Sequence, residues 1–160
     1  MSTDAIVLLK EDHKTVEKLF KRFERADDEA FVEKRKIVDS IIEELTTHAF
    51  IEEEIFYPAA RAGVPETEDH VLESVEEHHV VAWILSELAG MAPEAENFDA
   101  KVTVLTENVR HHVGEEEQEW FPQVREALGR KQLQELGARM IAAKAKAPRD
   151  PKALRSASSR

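Results

Sequence analysis

The chain contains no cysteine. Disulfides, thiol nucleophiles, zinc–thiolate sites and iron–sulfur clusters are therefore excluded, and any metal must be held by nitrogen and oxygen. Basic residues are in the minority: 22 Lys and Arg against 33 Asp and Glu leave a net charge of −11. The acids are spread along the whole chain, which argues against nucleic acid or an anionic membrane as a partner. No apolar run approaches the roughly 20 residues of a membrane span. The opening residues Met1-Ser-Thr-Asp-Ala lack a basic stretch followed by an apolar one, so a soluble, cytoplasmic protein is expected. A chain of 160 residues suits one domain and can bury a sizeable core without staples.

Glycine and proline are scarce, and they fall at breaks: Gly63-Val-Pro65, Gly90-Met-Ala-Pro93, Gly129 and Pro148, with a further break over Arg25–Glu29. Between the breaks, apolar residues recur at alternating steps of three and four, the period of a helix facing a bundle core. The first stripe is Ile6, Leu9, His13, Val16, Phe20, Phe23, and the second is Phe31, Val38, Ile41, Leu45, His48, Glu52, Ile55. The third is Val71, Ser74, His78, Val81, Leu85, Leu88, and the fourth is Phe98, Val102, Leu105, Val109, His112, Glu116, Trp120. A shorter fifth helix is expected over Lys131–Lys146, with Leu133, Leu136, Met140 and Ile141 at helical spacing. The reading is all-α: an up-down-up-down four-helix bundle over 1–147 with a short fifth helix, and a basic, disordered tail over 148–160.

Polar residues interrupt these apolar stripes in a repeated pattern. His48-Ala-Phe-Ile-Glu52-Glu-Glu-Ile-Phe-Tyr-Pro58 recurs 64 residues later as His112-Val-Gly-Glu-Glu116-Glu-Gln-Glu-Trp-Phe-Pro122. Residues i and i+4 share a helix face, so each stretch aims an imidazole and a carboxylate at one point. Asp12-His13 and Glu77-His78 repeat at nearly the same interval. Burying four imidazoles and two carboxylates in one layer without a cation costs several kcal/mol for each uncompensated charge. Divalent or trivalent cations offset that cost directly, which makes metal binding part of folding. His78 lies in phase with Val71, Val81 and Leu85, a more apolar face than that of His79, and His112 with Glu116 is favoured over His111 with Glu115 in the same way. His70, His79 and His111 are assigned to solvent or to supporting positions. Glu53, Glu54, Glu115, Glu117 and Glu119 read as a solvated acidic face, with Glu117 as the competitor of Glu116 for a small helix rotation. Tyr57 is read as core packing, and Pro58 and Pro122 as a kink or stop just beyond each His–Glu pair.

In their order and spacing these residues resemble the hemerythrin-like, or HHE cation-binding, family: His on the first helix, HxxxE on the second, His on the third, HxxxE on the fourth. The match runs from about Asp4 to Arg125. Ferritin-like bundles instead carry Glu-x-x-His on two helices and lone glutamates on the others. The resemblance implies a non-haem di-iron centre, oxo- or hydroxo-bridged, with Glu52 and Glu116 bridging and His13, His48, His78 and His112 terminal. Oxygen-carrying members have a further histidine one turn before the third-helix ligand, where this chain has Ser74, and they space the fourth-helix pair by five residues rather than four. The missing imidazole implies an open coordination position that hydrogen peroxide, oxygen or nitric oxide can enter, which disfavours reversible oxygen carriage. The resemblance thus leaves two readings: a redox protein, catalase-like towards peroxide, or a non-enzymatic module that senses or buffers oxygen, nitric oxide or iron.

Overall fold

The computed structural model describes residues 3–158, and among these there are helices and connections but no strand. Helix α1 (Ala5–Arg25) starts at Asp4, whose carboxylate accepts from the Val7 amide at 2.9 Å and so satisfies one of the free donors of the first turn. Helix α2 (Phe31–Ile51) returns alongside α1 and runs on through a π-helical turn (Glu52–Phe56) into α3 (Tyr57–Gly63). After a short 3₁₀ turn come α4 (Glu68–Ala89) and α5 (Phe98–Glu115). A second π-helical turn (Glu116–Trp120) leads into α6 (Phe121–Lys144), and α7 (Pro151–Ser158) completes the order.

Both π turns begin at the glutamate of an HxxxE pair. The amides of Tyr57 and Phe121 donate to the carbonyls of Glu52 and Glu116, five residues back rather than four. Such a widened turn accommodates a proline just beyond it, because Pro58 and Pro122 sit in the first turn of the next helix, where the missing donor has no partner to lose. Neither helix therefore stops at its proline, as the sequence pattern allowed. Both continue, and the inserted residue re-aims α3 and α6 relative to the helices before them.

The sequence breaks at Gly129 as expected: its φ of 79° interrupts α6 between two helical pieces. The second piece is more than an outer brace. Leu133, Leu136 and Met140 are fully buried in the core, whereas Ile141, expected on the same face, is exposed. Gly137 lets α6 cross beneath the start of α1, since a methyl group there would sit 2.3 Å from the Thr3 carbonyl oxygen. The tail differs from expectation. It is helical over Pro151–Ser158 and docks on α4 and α2, because Leu154 buries against Ala49 and Ala82 and Arg149 pairs with Glu43 ahead of the helix. Residues 159 and 160 lie outside the described part.

Among the described residues, two large clusters make up most of the apolar core. One cluster, built on Phe56, Tyr57, Trp120 and Phe121, fills the end of the bundle where α3 and α6 converge. The other, built on Phe20, Ile41, Leu85 and Phe98, fills the opposite end. Between them lies a buried polar layer comprising His13, His48, Glu52, His78, His112 and Glu116.

Candidate metal centre

The structure brings all six stripe residues into that layer. Glu52 and Glu116 have no solvent exposure, and each of the four histidines is at most 7% exposed. Donor atoms of His13, His48, Glu52 and Glu116 lie within 4.8 Å of one another, and so do those of Glu52, His78 and His112. The two groups share Glu52. Individual approaches are 3.1 Å for His48 Nε2 to Glu52 Oε1, 3.3 Å for His78 Nε2 to the same oxygen, and 3.4 Å for both His13 and His112 Nε2 to Glu116.

These distances are short, yet the bonding is incomplete. His13 Nε2, His48 Nε2, both Glu52 oxygens and Glu116 Oε1 are buried without a properly aligned hydrogen-bond partner. A buried layer of polar atoms that converge without aligned partners is costly by itself. A cation at their focus would satisfy these atoms together, and imidazole with carboxylate suits iron, manganese or zinc. The residues therefore fit a metal centre.

The outer nitrogen of every layer histidine meets a carboxylate. His13 Nδ1 is 2.6 Å from Glu117, His48 Nδ1 is 2.9 Å from Asp12, His78 Nδ1 is 2.9 Å from Glu53, and His112 Nδ1 is 2.8 Å from Glu77. An ionised carboxylate only accepts, so each Nδ1 carries the proton and each Nε2 faces the centre. The acidic-face reading thus fails for Glu53 and Glu117: both turn inward onto imidazoles, and Glu117 supports His13 from outside the layer instead of replacing Glu116. Sequence reasoning missed this role for all four acids. The available signal was adjacency, since Asp12 and Glu77 precede the lone histidines while Glu53 and Glu117 come directly after the layer glutamates, in both halves.

The arrangement obeys an approximate two-fold exchange of α1 with α4 and α2 with α5, and it is broken at two places. Tyr57 stacks on His78 and Phe121 on His13 at corresponding positions, but only Tyr57 has a hydroxyl, which donates to Glu116 Oε2 at 2.8 Å. Lys144 from α6 reaches Asp12 Oδ1 at 2.5 Å, continuing the line from His48 to the surface. Tyr57 is therefore part of the centre and not only core packing. Of the remaining histidines, His111 is largely exposed beside Glu115, His79 pairs with Glu76, and His70 packs on the Trp120 ring.

Electrostatics reflect this crowding. Burial opposes charge on His48, but Glu52 and Asp12 overcome it and raise its pKa to about 10. Burial likewise opposes ionisation of Glu116, yet His112 and His13 hold it well below the usual carboxylate range. Tyr57 is pushed well above its ordinary value by burial and by the negative charge of Glu116 and Glu52, so its hydroxyl keeps its proton. Beneath the histidines, on the side away from Tyr57, lies an apolar cavity of about 40 Å³ walled by Val16, Leu45, Val81, Leu85, Val109 and Val113. A single water needs roughly 10–15 Å³ measured this way, so the space takes a diatomic or similarly small molecule.

Comparison with known proteins agrees with this geometry. The chain is similar in structure to a hemerythrin HHE cation binding domain-containing protein from Mycobacterium kansasii, with a TM-score of 0.76 and 25% identity over 90% of this chain and 86% of that one. It is 28% identical over 139 residues to a DNA nickase from Nostoc sp., a match covering 87% of this chain but only 38% of that longer protein. The model of the hemerythrin HHE cation binding domain matches residues 4–124. The chain thus belongs to the hemerythrin HHE cation-binding family.

Proposed function

We propose that this domain holds a pair of iron ions and binds or reacts with a small oxidant or diatomic molecule: hydrogen peroxide, oxygen or nitric oxide. The observation that carries the reading is the juxtaposition of two buried donor groups sharing Glu52 with a small apolar cavity on one side of the same layer. A bound pair of irons supplies electron transfer and Lewis acidity. The chain's own residues supply the rest. Four carboxylates fix the imidazoles, the apolar walls exclude bulk water, and Tyr57 Oη offers a retained proton beside Glu116.

Peroxide decomposition, two H₂O₂ giving O₂ and two waters, suits a site with one hydroxyl donor and room for a molecule of two heavy atoms. Binding of oxygen or nitric oxide without turnover is the alternative use of the same cavity. The nickase activity of the longer Nostoc protein is not carried over, since the net charge of −11 suits a polyanion poorly.

The test is metal content per chain by mass spectrometry on protein from iron-supplemented cells, with a His48→Ala, Glu52→Ala variant as control. About two irons in the wild type and few in the variant are expected, with oxygen evolved from peroxide by the wild type alone. Zinc only, or equal iron in both, would remove the redox reading; iron without oxygen evolution would leave ligand binding.

A further inference from the structure

The approximate two-fold symmetry places two equivalent grooves beside the polar layer, one between α1 and α5 and the other between α4 and α2. They are treated differently. Between α1 and α5 a groove of about 290 Å³ opens to solvent, lined by His13, Glu17, Phe20, Arg110, Gly114 and Glu117. Arg110 spans it, donating to Glu17 at 2.9 Å and to Glu24 at 3.1 Å. This groove and the interior cavity share His13, Val16, Val109 and Val113 as walls, so these side chains stand between solvent and the space beneath the histidines.

On the other side the corresponding space is filled. The residue two beyond the layer histidine is Gly114 on α5 and Phe50 on α2, and Phe50 packs against a small apolar cluster of Ala49, Ala82 and Leu154. Leu154, 4% exposed and carried by α7, also lines the cavity and closes it from that side. Gly114, by contrast, keeps its side open: a methyl group there would meet nothing within 4 Å, and its backbone is helical. Glycine inside a helix costs about 1 kcal/mol relative to alanine, so the fold itself does not call for it.

We propose that small ligands enter the layer through the α1–α5 groove across Gly114 and Val113, and that Phe50 and Leu154 make the opposite face a closed wall. The proposal deepens the functional reading and rests on it for the identity of the ligand, but the route itself is a property of the chain. One mouth places the approaching molecule on the His13 side first, away from Tyr57, and exposes it to a threshold set by Val113 and the space that Gly114 leaves open.

The route is tested without redox chemistry by dissolved-oxygen relaxation of methyl NMR signals in the zinc-loaded 160-residue protein. Val16, Val109 and Val113, which line both the groove and the cavity, should relax more strongly than Ala49 and Ala82, which line the cavity alone on its closed side. In Gly114→Leu the enhancement at Val16 and Val109 should fall by about half or more, and azide binding to the iron-loaded protein should slow by about tenfold. Gly114→Ala, which only adds a methyl group in open space, serves if the larger variant does not fold, with a smaller change of the same sign. Leu154→Ala should raise the enhancement at Ala49 and Ala82. Equal relaxation on the two sides, or no change in the Gly114 variants, would overturn the route. Failure to load iron would instead sink the functional reading and leave the relaxation result standing.

Discussion

The Tyr57 hydroxyl donates to Glu116 Oε2 across 2.8 Å, joining the end of the second helical stretch to the carboxylate of the fourth. At the corresponding place in the other half, Phe121 has the same ring and no hydroxyl. The candidate metal centre is therefore built from a sequence repeat and made unsymmetrical by this hydroxyl and by Lys144 behind Asp12.

Tyr57→Phe leaves the ring in place and removes a well-aligned donor to Glu116. A buried carboxylate that loses a hydrogen bond costs about 1–3 kcal/mol. The expected result is a lower urea midpoint in the presence of chelator, with an altered visible spectrum when iron is bound. An unchanged spectrum and midpoint would mean that the bond contributes nothing to the centre.

Asp12 holds His48 Nδ1 on one oxygen and accepts from Lys144 on the other. Removing a carboxylate behind a ligating imidazole typically weakens metal binding by about 10–100-fold. Asp12→Ala should do so here, measured by competition with a chelator of known affinity. Lys144→Ala should have a smaller effect of the same sign, because that lysine is partly exposed and its pairing is screened.

The metal-free chain should respond to pH in a way set by its shifted groups. The raised pKa of His48, about 10 against 6.5, adds stability that is fully present below 6.5 and is lost as the pH climbs toward 10. The lowered pKa values of Glu52 and Glu116 add stability that is present above 4.5 and is lost as the pH falls. The metal-free protein should thus be most stable between 4.5 and 6.5. Cation binding displaces the Nε2 protons, so affinity should rise with pH over the upper window and protons should be released on loading. Urea midpoints in chelator at about pH 5.5 and about pH 9, with indicator-dye detection of proton release, check both signs.

Gly137 touches the backbone at the start of α1, where a methyl group would lie 2.3 Å from the Thr3 carbonyl and 3.1 Å from the Ala5 amide nitrogen. Gly137→Ala should therefore destabilise the protein by about 1–3 kcal/mol despite the better helix propensity of alanine. A raised melting temperature would show that α1 and α6 can separate freely at this crossing.

Much of this molecule is a consequence of local chemistry that sequence carries directly. Helical period placed Ile6, Leu9, Val16 and Phe20 with His13 on one face, and the same rule aligned His48 with Glu52 and His112 with Glu116, because residues one turn apart point the same way whatever else the chain does. Breaks at Gly63, Gly90 and Gly129 marked the helix ends for an equally local reason. Tertiary structure decided what lies between helices. Which acids turn onto the Nδ1 atoms depends on how far each helix is rotated about its own axis, and for Glu53 and Glu117 that rotation falls inside the π turns that begin at Glu52 and Glu116. Lys144 meets Asp12 across 132 residues of chain. Leu154 finds its apolar seat only once α2 and α4 have formed it, so composition alone left the tail as a solvated segment. Two halves with nearly the same ligand pattern became one closed side and one open side, because Phe50 and Gly114 fill unequal volumes in grooves that exist only after the bundle has assembled.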